Sequence, residues 1–191
     1  METGIHSILR STATGLAGVV ALGWLAPTMG DVTKTLTYSP SELVVSEYQG
    51  YQKLSLPGCT PMGMVGYPAM PVMVKRIPIG PGEWAREVLV AQIEYEELPG
   101  TYTIYPVLDR ISGGGSRWVE PNPTVYESSA PFPGQWVKLI GQTGGGRSPK
   151  ALLKVFPVQY VPSEGRLRIC TSITFTVYTE QIYMINDLTR N

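Results

Sequence analysis

Arg110 and Arg117 bracket the run DRISGGGSRW, with three consecutive glycines between them. A glycine-rich loop can carry a guanidinium away from the body of a domain, and an arginine fork pairs strongly with a carboxylate in a partner's pocket. The plainer reading of the same run is a solvated loop with ordinary surface arginines. A second run, GQTGGGRS at 141–148, approaches the phosphate-binding loop pattern, with Arg147 where a lysine belongs. That pattern requires a helix next, whose N-terminus holds the phosphate. Pro149 and a strand-like stretch follow instead, so a hairpin loop is expected rather than a nucleotide site. Glu94, Glu96 and Glu97 offer the carboxylates that glycoside hydrolysis uses. Glu94 and Glu96 share one face of a strand, however, which predicts a solvated stripe and not an acid and a nucleophile set across a cleft.

The chain's one histidine is His6. Beyond the N-terminal segment there is no imidazole to take and return a proton near neutral pH, which excludes Ser-His-Asp and Cys-His catalysis there. The commonest zinc ligand is missing with it, and Cys59 and Cys170 do not build a metal site by themselves; no cofactor and no metal are expected. Cys170 lies on the polar parity of its strand and Cys59 in the Pro/Gly loop LPGCTPMG. A structural disulfide between them and two separate thiols both remain open. The tryptophans and tyrosines could furnish a sugar-binding platform, but aromatics are also ordinary strand and core residues.

These groups sit behind a distinct N-terminal segment. Arg10 precedes an apolar run from Gly15 to Ala26, about 12 residues and short of the roughly 20 that span a bilayer. The layout is that of a signal peptide over residues 1–30, with cleavage expected before Asp31 and no lipid-anchoring cysteine after it. Residues 31–191 then form one domain, secreted or periplasmic, with no membrane attachment once the leader is removed. The 15 basic and 15 acidic residues lose one each with the leader, Arg10 and Glu2. A balanced surface gives no electrostatic reason to expect nucleic acid or anionic membrane as a partner.

Period-2 alternation runs through the rest. In RLRICTSITFTVY the residues Leu167, Ile169, Thr171, Ile173, Phe175 and Val177 share one face, while Arg166, Arg168, Cys170, Ser172, Thr174 and Thr176 share the other. This is a long half-buried antiparallel strand. EWAREVLVAQIEYEEL reads as another, with MPVMVKRIPI, YTIYPVL, QWVKLIGQ and ALLKVFPVQYV, and VTKTLTY, ELVVSEY and YQKLSL as shorter candidates. Between them lie turn-rich stretches, supplied by 17 prolines and 21 glycines. An antiparallel β-sandwich or jelly roll is the fold this pattern predicts, without an amphipathic helix. Pro106 and Pro157, inside strand patterns, should mark edges or bulges because proline donates no ladder hydrogen bond.

At GYPAMPVMVKRIPIGPGEW the sequence resembles the N-terminal propeptide of the gingipain-type (family C25) cysteine peptidases, on Gly66, Pro68, Met70, Pro71, Pro78 and Gly80 or Gly82. VFPVQYVPSEGRLRICTSITFTVY is similar to a second block of that family through Pro157, Tyr160, Pro162 and Gly165, and EPNPTVYESSAPFPG fits the variable segment between them. The resemblance spans roughly Val44 to Tyr178. It implies an all-β pro-domain, without catalysis of its own, that covers the active-site side of a caspase-like cysteine peptidase domain, in cis or in trans, and holds it latent. It also implies that a basic side chain enters the specificity pocket. Arg117 and Arg110 are the first candidates and Arg147 the next, and Arg190 in NDLTRN is a candidate processing site. The chain departs from the family in carrying no caspase-like domain with its histidine and cysteine. The rival reading is a secreted β-sandwich adhesion or carbohydrate-binding module.

Overall fold

The computed structural model describes residues 30–144 and 148–181. Residues 1–29, with His6 and the expected leader, lie outside the described residues, and so do Arg147 and Arg190. The architecture is an antiparallel β-sandwich. One sheet is organised around β12 (Arg166–Gln181), which pairs along one side with β6 (Glu83–Leu98). Along its other side β12 pairs with β1 (Val32–Thr37) and then with β11 (Val158–Val161). The second sheet runs β4 (Thr60–Met62), β5 (Met70–Pro78), β10 (Lys150–Val155), β9 (Val137–Thr143). Two separate hairpins complete the strands: β2 (Val44–Tyr48) with β3 (Tyr51–Ser55), and β7 (Asp109–Arg110) with β8 (Ser116–Arg117).

The alternation in the sequence becomes the core. Ile173, Phe175 and Val177 of β12 meet Ile77 of β5 and Ala151, Leu153 and Val155 of β10 between the sheets. A second cluster, around Leu54, Met70, Ile104, Tyr160, Leu167 and Ile169, fills the other end. Tyr38 packs against both. The opposite parity of β12 faces out, where Thr174 and Thr176 pair hydroxyl to hydroxyl with Thr35 and Thr33 of β1 at 2.8 Å.

Three expectations from the alternation are modified. The run 151–161 is two strands and not one: the chain leaves the second sheet at Val155 and enters the first at Val158, so Pro157 stands at the crossing. The run 102–108 is extended but joins no sheet as a ladder strand, pairing only as the isolated bridges Gln52↔Ile104 and Pro68↔Pro106. Cys170, expected on the polar face of β12, is 1 % exposed. The ladder to β6 slips between Cys170 and Ser172, and a bulge of this kind turns a side chain off the alternation before it resumes. The hairpin expected at the second glycine run agrees with β9 and β10 pairing antiparallel, with Lys150 opposite Thr143 and a strand, not a helix, from Lys150.

Both cysteines carry free thiols, so the disulfide weighed for Cys59 and Cys170 is not formed here. Tyr38 feels the charge of either thiolate. Burial pushes the Cys170 thiol from 9.0 up to about 12, with the charge of Glu94 adding to it. Burial likewise raises the phenols of Tyr38 and Tyr126 above 10.0. All three groups are acids whose folded pKa is raised. Their contribution to stability is complete below the unfolded values and is lost as pH rises toward the folded ones. The midpoint of urea unfolding, measured under reductant, should therefore hold steady up to about pH 9 and fall progressively from there to about pH 12. A flat midpoint across that window would contradict the buried placement of these groups.

Candidate functional site

The β7–β8 hairpin decides what each arginine can do. Asp109 lies opposite Arg117 and Arg110 opposite Ser116, so the two arginines fall on opposite faces of the ribbon. The tip, Ser112 to Gly115, has Gly113 and Gly114 at φ +97° and +86°, with open space where a Cβ would stand. Only glycine adopts two such residues in succession without strain. Arg117 Nη2 bonds Asp109 Oδ2 at 2.5 Å. Arg110 is exposed and has no carboxylate within ion-pair distance among the described residues. The two first candidates therefore separate, with Arg110 the uncommitted guanidinium and Arg117 the one already engaged.

A scaffold of extended chain holds the hairpin. The GYPAMP segment is laced to the strand-like run before the hairpin, with the amides of Gly66 and Ala69 donating to Val107 and Tyr105 and the amide of Val107 donating back to Tyr67. Gly66 sits at φ +80° with Glu120 carbonyl 3.2 Å from where a Cβ would be, so a side chain there would be strained and crowded. On the far side, Trp118 meets Tyr51 and Tyr105, with ring centroids at 5.5 and 5.8 Å. Tyr48 meets Tyr105 edge-on at 85°. Rings meeting edge to face do not present the flat surface on which a sugar stacks.

Two concavities meet at the base of the hairpin and a third adjoins them. A cleft of about 290 Å³ runs between β3 and the hairpin, with Lys53, Tyr105, Arg110 and Ser116 on its walls. A shallower groove of about 470 Å³ shares Arg110 with it and adds Met62 and Val65. The third, about 300 Å³, continues from Met62 and Met64 to Phe132 and Phe156. Around them the surface is apolar: Met64 is 65 % exposed, Ile111 49 % and Val65 48 %. Apolar side chains gathered around an unpaired guanidinium are the mark of a protein-binding face.

Other sequence candidates lie elsewhere. Glu97 on the β6 edge accepts from Arg168 at 2.9 Å and Arg166 at 3.2 Å. The Arg168 bond, with the charge of Arg166, holds its carboxyl below the usual glutamate range. It is a cross-strand ion pair of the solvated face, and Glu94 and Glu96 are exposed beside it. Among the described residues no three His, Cys, Asp or Glu gather as a metal site, and no helix is long and apolar enough to cross a membrane. Missed from the sequence were Lys53 and the Met62–Val65 surface. The signal for the latter was available: three large apolar residues in a turn-rich loop with no alternation to bury them.

The Propeptide_C25 family matches the chain over residues 34–184. No curated protein matches it. Among solved structures it is similar to the complex of Porphyromonas gingivalis RgpB pro- and mature domains, with TM-score 0.65 and 17 % identity over 83 % of each chain. It is also similar to a structure of gingipain K from Porphyromonas gingivalis concerned with zymogenic latency, with TM-score 0.61 and 21 % identity over 81 % of this chain and 90 % of that one.

Proposed function

Since the chain belongs to the Propeptide_C25 family, we propose that it is the pro-domain of a gingipain-type cysteine peptidase, binding the caspase-like peptidase domain and keeping it latent during export. The match over 34–184 carries this reading, and it makes the chain a regulatory element and not a catalyst. The peptidase domain is supplied on the same polypeptide or as a separate chain, and the complex belongs to the secreted or cell-envelope compartment.

The uncommitted Arg110, framed by apolar surface, supports the β7–β8 hairpin as the part that meets the active site. A guanidinium desolvated against a pocket carboxylate makes a strong bidentate contact, and an apolar collar excludes the water that would weaken it. Arg110 is accordingly the blocking residue and Arg117 holds the hairpin in register through Asp109. Arg147 is the reserve candidate, and Arg190 is where the peptidase would cut to release the domain.

Titration of the full chain against active gingipain-type peptidase domains should abolish cleavage of short Arg- or Lys-terminated peptides at one equivalent. Activity should return once the pro-domain is cut. Undiminished turnover at saturating chain, together with binding to immobilised glycans, would favour the adhesion module instead.

A further inference from the structure

Lys53 has no role in the blocking contact, yet it is held in a definite orientation. Its ammonium nitrogen sits 3.3 Å from the ring centroid of Tyr48 and 4.4 Å from that of Tyr105. Lys53 lies opposite Ser46, and Tyr48 opposite Tyr51, so these four share one face of the β2–β3 hairpin. The acid of that hairpin, Glu47, lies on the other face and accepts from Gln52 Nε2 at 3.1 Å. The other acids of this end are also engaged: Glu120 accepts from Trp118 Nε1 at 2.9 Å and Asp109 from Arg117. Lys53 has no carboxylate within ion-pair distance among the described residues, and none lines the 290 Å³ cleft onto which it opens.

We propose that Lys53 anchors a carboxylate of the peptidase domain, an Asp or Glu on an otherwise apolar loop that enters the cleft between β3 and the β7–β8 hairpin, a contact that presupposes the latency proposed above. Aromatic faces attract an ammonium but leave its hydrogen-bond donors unsatisfied, so a half-buried lysine held on two rings stays ready for an anion. The walls beneath it, including Leu54, Pro106 and Val107, suit an apolar stem. One oriented cation selects a single carboxylate; a polyanion such as nucleic acid needs a basic stripe, and the chain is charge-balanced. Because the ring contacts restrict the side chain before binding, less conformational freedom is lost on association than for a free surface lysine.

The test compares wild type, Lys53→Met and Lys53→Glu as full chains against the peptidase domain they inhibit. Lys53→Met keeps most of the stem and removes the charge. It should bind roughly 10- to 100-fold more weakly, mainly through faster dissociation, and its affinity should depend less steeply on salt than that of wild type. Lys53→Glu should be weaker still. Both should inhibit completely at saturation, because Arg110 still fills the active site. Unchanged affinity and salt dependence in Lys53→Met, with or without a lower melting temperature, would overturn the anchor and assign Lys53 to packing alone. Failure of wild type to bind any gingipain-type peptidase domain overturns the latency reading and the anchor with it, so the two failures are told apart by the wild-type arm.

Discussion

Arg110→Ala is expected to raise the inhibition constant against the peptidase domain by roughly 30- to 4,000-fold, the loss that follows from truncating one member of a buried, hydrogen-bonded charge pair. The pocket carboxylate would be left desolvated without its cation, which is where most of that penalty arises. Arg110→Lys should fall between, since an ammonium keeps the charge but cannot form the planar two-point contact. Arg117→Ala should change inhibition only several-fold. Its guanidinium is already bound to Asp109, and an exposed pair of that kind stabilises the hairpin by no more than about 1 kcal/mol. The discriminating measurement is the inhibition constant of all three variants on one peptide substrate. A larger effect at Arg117 than at Arg110 would mean that the ion pair opens on binding and that the two residues exchange roles.

The largest effect on stability is expected at Phe175→Ala. Phe175 is fully buried, opposite Lys34 on one side and Val90 on the other, at the centre of the strand that organises its sheet. Removing the ring leaves a cavity that a two-sheet core closes only in part, at a cost of about 3–5 kcal/mol. Natural domains have a total of about 5–15 kcal/mol. The variant should therefore lose a large share of its stability and melt about 10 °C lower or more. Phe175→Leu, which keeps much of the volume, should cost clearly less. Urea unfolding of both variants decides it: equal, small shifts would mean that the core between the sheets is looser than the burial of Ile173, Phe175 and Val177 implies.

How much of this was readable beforehand depended on length and on sequence separation. β6 and β12, each 16 residues of sustained alternation, announced themselves because a long period-2 pattern has few competing explanations. β4, β7 and β8 are two or three residues long, too short for any period to appear. The 102–108 run alternates as a strand does, but Pro106 lacks the donor that a ladder needs, and only bridges form. The bulge that buries Cys170 depends on the registry of β6 against β12, which no local pattern encodes. At the site, the glycine run marked the hairpin, and arginine chemistry marked its use. The choice between the two arginines required the cross-strand register. The Lys53 cage required Tyr48 and Tyr105 to meet from two distant stretches of chain. Such a cluster exists only after folding.

β12 lies between β6 and the pair β1 and β11, and it is the last strand in the described chain. Its partner β1 is the first, with Val32 opposite Val177. Order of synthesis therefore matters. A chain made from its N-terminus can form the β2–β3 and β9–β10 hairpins as it emerges, since these are local. The first sheet must wait, because β1 and β6 have no mutual ladder and acquire one only through β12. Closing so long a loop makes such topologies slow to fold. Until the residues of β12 are available, β1, β6 and β11 have no ladder partner in their sheet, so the first sheet is completed last and from the C-terminal end.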